Sequence, residues 1–145
     1  MSMKKYRSPS GYYELNIPKR WCYSEDDNLV SFYDEKGGVG ALQISSYSIK
    51  DDYDINIVSE LAKIISKRTG EGNQQIVSKV LVIDSLAQYS LVKDGKYWKY
   101  YMLCKENKLL FLTYNCDEID SSAEKEVIEK IISSIAIGDG HDWKI

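Results

Sequence analysis

The length, composition and charge of the sequence limit what this protein can be. Its 145 residues, with 43% hydrophobic and 28% charged side chains, are typical of a single globular domain spanning residues 1–145. The formal net charge is −3 and the basic residues are scattered, so we expect neither nucleic acid nor an anionic membrane as a partner. No apolar stretch approaches the roughly 20 residues that span a bilayer.

The first half of the chain predicts short strands separated by turns. Alternating apolar residues predict a strand over residues 12–17 that ends at Pro18. Three further strands are predicted over residues 21–23, 29–33 and 41–47, and a glycine-rich turn precedes the last of them. This pattern is typical of a β-meander.

From Asp54 onward, the spacing of the apolar residues changes from every second residue to the three-or-four-residue spacing of a helix. Ile57, Leu61 and Ile65 fall on one helical stripe. Gly70 is well placed to end the helix, because glycine readily adopts the left-handed conformation of a C-terminal cap. The next loop, residues 70–73, is predicted to be mobile.

The second half predicts consecutive hairpins and a last helix. Strands are predicted over residues 77–83, 86–92, 97–104 and 109–116, and the last two carry apolar residues on both faces, which is typical of central strands. The capping box formed by Ser121 and Glu124 predicts the start of the last helix. The fold class is therefore α+β, an antiparallel sheet of about six to eight strands with helices packed on it.

A search for reactive groups finds no catalytic residue. The one histidine, His141, lies in a polar tail, and the three cysteines Cys22, Cys104 and Cys116 are too few and too widely spaced for a disulfide framework. Pairing of the last two predicted strands places Cys104 and Cys116 far apart. No close pair of cysteine and histidine ligands indicates zinc. We expect no metal, no cofactor, and a reducing, cytoplasmic compartment.

The composition is unusual in its aromatic residues, because 12 tyrosines and 3 tryptophans far outnumber the 2 phenylalanines. Tyrosine and tryptophan are enriched at the energetic centres of protein interfaces. Most of these rings are expected in the core, but their number also suggests an aromatic surface for another protein. The residues chosen for this partner-binding surface are Tyr47, Tyr53, Tyr97 and Tyr101.

Four segments resemble a known family. They are Gly-Tyr-Tyr-Glu-Leu-Asn-Ile-Pro-Lys-Arg-Trp at 11–21, Gly-Ala-Leu-Gln-Ile-Ser at 40–45, Leu-Phe-Leu-Thr-Tyr at 110–114, and Ile-Ile-x-Ser-Ile at 131–135. Together they are similar to the PsbP-like superfamily. Its members include photosystem accessory proteins, a Ran-binding nuclear factor, and bacterial proteins of unknown role or acting as chaperones for type VI secreted effectors. The resemblance implies a PsbP-like α+β domain that binds another macromolecule without catalysis.

Three functional hypotheses follow. The leading one is a non-catalytic intracellular protein-binding module, for example a bacterial adaptor, effector chaperone or toxin-neutralising protein. The alternative is a small-ligand-binding protein or enzyme with a pocket between sheet and helix. A deep polar pocket around Cys104 or Cys116, with a thiol of low pKa, would favour this alternative. The third is a purely structural subunit.

Overall fold

The computed structural model describes residues 2–49 and 54–138. The strands are Met3–Arg7 (β1), Tyr13–Pro18 (β2), Cys22–Asp26 (β3), Leu29–Tyr33 (β4), Gly40–Ser48 (β5), Leu81–Ile83 (β6), Leu86–Lys93 (β7), Lys96–Lys105 (β8), Lys108–Asp117 (β9) and Ala136–Ile137 (β10). The α-helices are Ile57–Thr69 (α1), Asn73–Val77 (α2) and Lys125–Ser133 (α3), and a short 3-10 helix spans Glu118–Asp120. Tyr53 and His141 lie outside the described residues.

The described strands form two antiparallel sheets. The large sheet has seven strands in the order β3-β4-β5-β9-β8-β7-β6, and the small sheet has three in the order β1-β2-β10. Two meanders, one from each half of the chain, meet where β5 pairs with β9. The α+β class is confirmed, and β9 and β8 lie in the interior of the large sheet as predicted.

The large sheet is covered on both faces of its central strands. On one face, α3 and the small sheet enclose a core that includes Ile17, Phe32, Leu112 and Ile131. On the other face, the apolar stripe of α1 packs on the half of the sheet nearest β7 and β8, with Ile65 and Met102 in the same cluster. Covering on both faces explains why β8 and β9 carry apolar residues at both alternating sets of positions.

Helix α1 begins and ends where its sequence signals lie. The Asn56 side chain accepts a hydrogen bond from the Ser59 amide at 3.1 Å and caps the N-terminus. At the other end Gly70 has a φ of 78° and donates its backbone N–H to the Ser66 carbonyl, as the predicted glycine cap requires.

Two predicted elements were wrong. Residues 77–83 were predicted to be one strand, but Val77 ends the short helix α2, in which Ile76 is fully buried in the same cluster as α1. The strand β6 then has only three residues. The capping box was also wrong, since Ser121 follows the 3-10 helix and α3 begins at Lys125. The Glu124 carboxylate accepts a hydrogen bond from the Tyr114 hydroxyl instead.

Candidate functional site

The described candidate tyrosines do not form one exposed surface, although Tyr97 and Tyr101 share a face of β8 and belong to the same core cluster. Tyr101 is only 3% exposed and belongs to the core beneath α3. Tyr47 is 46% exposed and lies opposite Leu109, whereas the half-buried Tyr97 lies opposite Cys116, seven residues along β9. Leu109 and Cys116 belong to the cores on opposite faces of the sheet, so Tyr47 and Tyr97 also lie on opposite faces.

Three buried tyrosines have structural roles that the composition did not reveal. The hydroxyls of Tyr6, Tyr89 and Tyr114 each donate a hydrogen bond to a glutamate carboxylate, at 2.6 Å to Glu25, 3.0 Å to Glu71 and 2.7 Å to Glu124 respectively. Burial, and then the hydrogen bond to the carboxylate, raise the pKa of each hydroxyl above its ordinary value. Part of the tyrosine surplus therefore links separate elements.

The three thiols are not activated. Burial raises the pKa of Cys104 and of Cys116. The pKa of Cys22 is raised mainly by the hydrogen bond that its thiol donates to the Glu35 carboxylate at 3.2 Å. Cys104 lies opposite Leu109 and Cys116 opposite Tyr97, which confirms the predicted separation of these two sulfurs. Because the thiolate is the nucleophile, a raised pKa favours the unreactive thiol at neutral pH.

A groove of about 590 Å³ lies between the β2–β3 corner and the N-terminus of α3. Its apolar lining includes Pro18, Trp21, Val39 and Val127. The remaining lining residues of the described chain are Ser2, Lys19, Arg20, Asp34, Gly37, Ala123, Glu124 and Glu126. Residues 18–21, which belong to the first of the four segments singled out in the sequence, form one wall of the groove.

The charges around this groove are only partly paired. The Arg20 guanidinium binds the buried Asp34 carboxylate at 2.7 Å, and Asp34 also accepts the Lys36 backbone N–H at 3.1 Å. Glu124 is 9% exposed, and its Oε1 accepts the Tyr114 hydroxyl. The Tyr114 ring lies close over Gly40, where an added Cβ would lie 2.7 Å from the hydroxyl oxygen. The glycine therefore allows Tyr114 to reach Glu124.

The second candidate site is the outer edge of the large sheet at β6. Its three residues are consecutive aliphatic side chains and all are exposed: Leu81 by 63%, Val82 by 50% and Ile83 by 56%. Beside this strand is a notch of about 120 Å³ lined by Lys79, Leu81, Gln88, Tyr89 and Ser90. We call this strand and its notch the β6 edge.

Because β6 is shorter than β7, part of β7 is not paired with it. Only residues 86–88 of β7 pair with β6, while β7 continues to Lys93 along β8. The outer backbone of β7 beyond Gln88 therefore has no strand partner in the described chain. The run Val-Leu-Val-Ile at 80–83 indicated a strand, but its position at an edge depends on strand order, which the sequence does not show.

Within residues 2–49 and 54–138, no group of histidine, cysteine, aspartate or glutamate side chains is arranged to hold a metal ion. In the same part of the chain, no helix combines the length and apolar character that crossing a bilayer requires.

No protein-family model matches the sequence, and no curated protein matches it in sequence. Solved structures do match the fold. A Bacteroides thetaiotaomicron crystal structure aligns with 95% of this chain at a TM-score of 0.66 and 15% identity, and this chain spans about half (49%) of that protein.

Two other solved structures align over nearly their whole length. The solution structure of cyanobacterial PsbP (CyanoP) from Synechocystis aligns with 94% of this chain and 93% of its own, at a TM-score of 0.65 and 15% identity. A mutant of protein Mog1 aligns with 99% of this chain and 100% of its own, at a TM-score of 0.61 and 7% identity. The chain therefore has a PsbP-like fold.

Proposed function

We propose that this chain is a non-catalytic protein-binding module that binds an extended segment of its partner at the β6 edge. The observation that carries the proposal is the exposure of Leu81, Val82 and Ile83 in a terminal strand of the sheet. An exposed aliphatic edge strand presents backbone donors and acceptors together with apolar side chains, which is the combination that β-strand addition uses.

Natural sheets usually protect such an edge with charges, proline or a bulge, because an unprotected edge pairs with other chains. None of the three β6 residues is charged or proline. The uncovered part of β7 extends the available backbone toward Lys93. A partner strand added here gains ladder hydrogen bonds and covers apolar surface at the same time.

Charged residues lie on both sides of the β6 edge. Lys79 lines the notch, Lys93 ends β7, and both are exposed. Exposed Asp84 directly follows β6 and exposed Asp94 directly follows Lys93, so charges of both signs surround the edge and they do not select the charge of a partner. We propose an extended apolar segment as the occupant.

The thiols are consistent with a binding role in a reducing compartment. All three cysteines are free, and the pKa of each is raised, so none is prepared for nucleophilic catalysis. We propose a cytoplasmic role as a bacterial adaptor, effector chaperone or toxin-neutralising protein. The partner is another protein, for which the product of the adjacent gene is the first candidate.

The test begins with capture from a lysate of the native host, with the product of the adjacent gene as a control bait. The captured protein is then purified and its affinity measured for wild type, for Val82→Lys and for Ser24→Lys. Ser24 is the matched control, because it is an exposed residue of β3, the opposite terminal strand. We expect Val82→Lys to weaken binding about tenfold or more, as at an interface hot spot, and Ser24→Lys to leave it unchanged.

Three results would contradict the proposal. One is repeated recovery of no partner, and another is equal binding by wild type and Val82→Lys. The third is a concentration-dependent dimer in light scattering that Val82→Lys abolishes, since a second copy of the chain would then occupy the β6 edge.

A further inference from the structure

A distinct site lies in the groove beside α3, at the buried carboxylate of Glu124. Its Oε1 accepts the Tyr114 hydroxyl at 2.7 Å, and its Oε2 forms no hydrogen bond or ion pair with any residue that the structure describes. The side chain lines a groove of about 590 Å³ although the residue is only 9% exposed. The residue is thus mostly buried, with Oε1 held by one neutral donor and Oε2 not fully withdrawn from solvent.

Among residues 2–49 and 54–138, no lysine or arginine forms an ion pair with this carboxylate. Arg20 lines the same groove, but its guanidinium binds Asp34 at 2.7 Å. Lys19 is exposed and forms no ion pair within the described residues. Burying a carboxylate is costly unless a cation or several hydrogen bonds compensate the loss of water. A ligand that supplies a cation would therefore gain more at Glu124 than at an exposed glutamate.

The walls of the groove favour a ligand in which the cationic group is attached to an apolar part. Pro18, Val39 and Val127 provide apolar surface next to the carboxylate, and Trp21 adds part of an indole ring. The volume lies within the range of roughly 300–1,000 Å³ that is usual for small-molecule sites. A hydrated inorganic ion makes no favourable contact with apolar walls. An alkyl cation covers these walls and also places its charge beside the carboxylate.

We propose that the groove binds an organic cation, a guanidinium or primary ammonium group on a short apolar stem, with its charge on Glu124. The same chemistry is present in a free amine and in an arginine or lysine side chain of another protein. The proposal does not depend on the β6 edge, because no residue lines both the groove and the notch.

The experiment compares a cation with its uncharged counterpart in calorimetry. n-Butylguanidinium is titrated into wild type, Glu124→Gln and Glu129→Gln, and n-butylurea into wild type. Glu129 is the matched control, an exposed glutamate of the same helix that does not line the groove. We expect wild type to bind n-butylguanidinium saturably and to bind n-butylurea about tenfold more weakly. Glu124→Gln should bind n-butylguanidinium about tenfold more weakly than wild type does, and Glu129→Gln should bind it with unchanged affinity.

A second pair of probes identifies the source of the cation. A blocked Gly-Arg-Gly peptide is compared with its citrulline counterpart. Binding of both the arginine peptide and n-butylguanidinium supports docking of a protein side chain, and binding of n-butylguanidinium alone supports a small free cation. No saturable binding of either cation overturns the proposal, as does equal affinity for n-butylurea or full affinity in Glu124→Gln.

A second variant covers the case in which Glu124→Gln does not fold. Ala123 is exposed and lines the groove next to Glu124, so Ala123→Arg places a tethered guanidinium there without removing the carboxylate. We expect Ala123→Arg to fold, as checked by thermal unfolding, and to lose affinity for n-butylguanidinium about tenfold or more. Wild-type affinity in this folded variant would overturn the proposal.

Discussion

The two edges of the large sheet differ in chemistry although both are terminal strands. The β3 edge carries exposed Ser24, Glu25 and Asp26, whereas the β6 edge carries three exposed aliphatic residues. Acidic residues on an edge discourage pairing with another chain, and aliphatic residues permit it. The β6 edge, with three aliphatic side chains, is therefore the one on which the proposed binding role rests, although Tyr23 of β3 is also 48% exposed.

The edges also differ in how they are anchored. Tyr23 of β3 packs edge-on against Tyr6 of the small sheet at 4.7 Å between ring centroids, and Tyr6 packs against Phe32 of β4 at 5.0 Å. Tyr6 also donates its hydroxyl to Glu25. The side chains of β6 are exposed by half or more, so its position depends mainly on the ladder with β7. The protected edge belongs to the core, and the apolar edge does not.

The largest expected effect is loss of the anchor at the protected edge. Phe32→Ala removes a fully buried ring that joins β4 to Tyr6 and should lower the free energy of unfolding by about 3–5 kcal/mol, measured by urea denaturation. The matched change at the apolar edge is Val82→Ala, for which we expect a loss of no more than about 0.5 kcal/mol. Similar losses for the two variants would contradict the difference in anchoring.

A smaller effect is expected from the hydroxyl of Tyr6. Tyr6→Phe removes the hydrogen bond to Glu25 and should cost about 1 kcal/mol near neutral pH. The fold raises the pKa of Tyr6 above its ordinary value of 10.0, through burial first and then the hydrogen bond to Glu25. A raised pKa means that the folded state holds the proton more tightly than the unfolded chain does. The contribution is therefore complete below pH 10.0 and is lost as the pH rises above it.

The measurement for Tyr6 is urea denaturation of wild type and Tyr6→Phe at a series of pH values that crosses 10.0. Above that pH, the free energy of unfolding should fall more steeply with pH for wild type than for Tyr6→Phe. The reason is that the variant lacks one group that ionises on unfolding. Parallel curves would show that the Tyr6 hydroxyl is not held protonated by the fold.

The sequence predicted elements whose signals are local and regular. The stripe of Leu61 and Ile65 and the cap at Gly70 identified α1, and alternation identified β4 over its full length. The strand β1 was missed because Lys4, Lys5 and Arg7 leave it without an apolar alternation, and it is held by pairing with β2. The alternation of apolar residues within one segment does not show that the segment pairs with its neighbour.

The candidate sites depend even more on distant parts of the chain. The groove is formed by residues 18–21, 34–39 and 123–127, which only the folded topology brings together. Nothing local marked Glu124 as buried, since its position near a predicted helix start suggested a cap. The tyrosine surplus suggested an interface, but Tyr6 and Tyr114 are buried hydrogen-bond donors instead. The number of tyrosines in a sequence does not show which of them are buried and which are exposed.

The smallest expected effect is the most informative about the β6 edge. Val82→Lys introduces a charge at a residue that is half exposed, so we expect the free energy of unfolding to stay within about 0.5 kcal/mol of wild type in urea denaturation. The same variant is expected to weaken partner binding, so binding and stability should separate at this position. A loss above about 2 kcal/mol would mean that Val82 packs as a core residue. The edge would then be unavailable to a partner, and weakened binding by Val82→Lys would reflect unfolding rather than a lost contact.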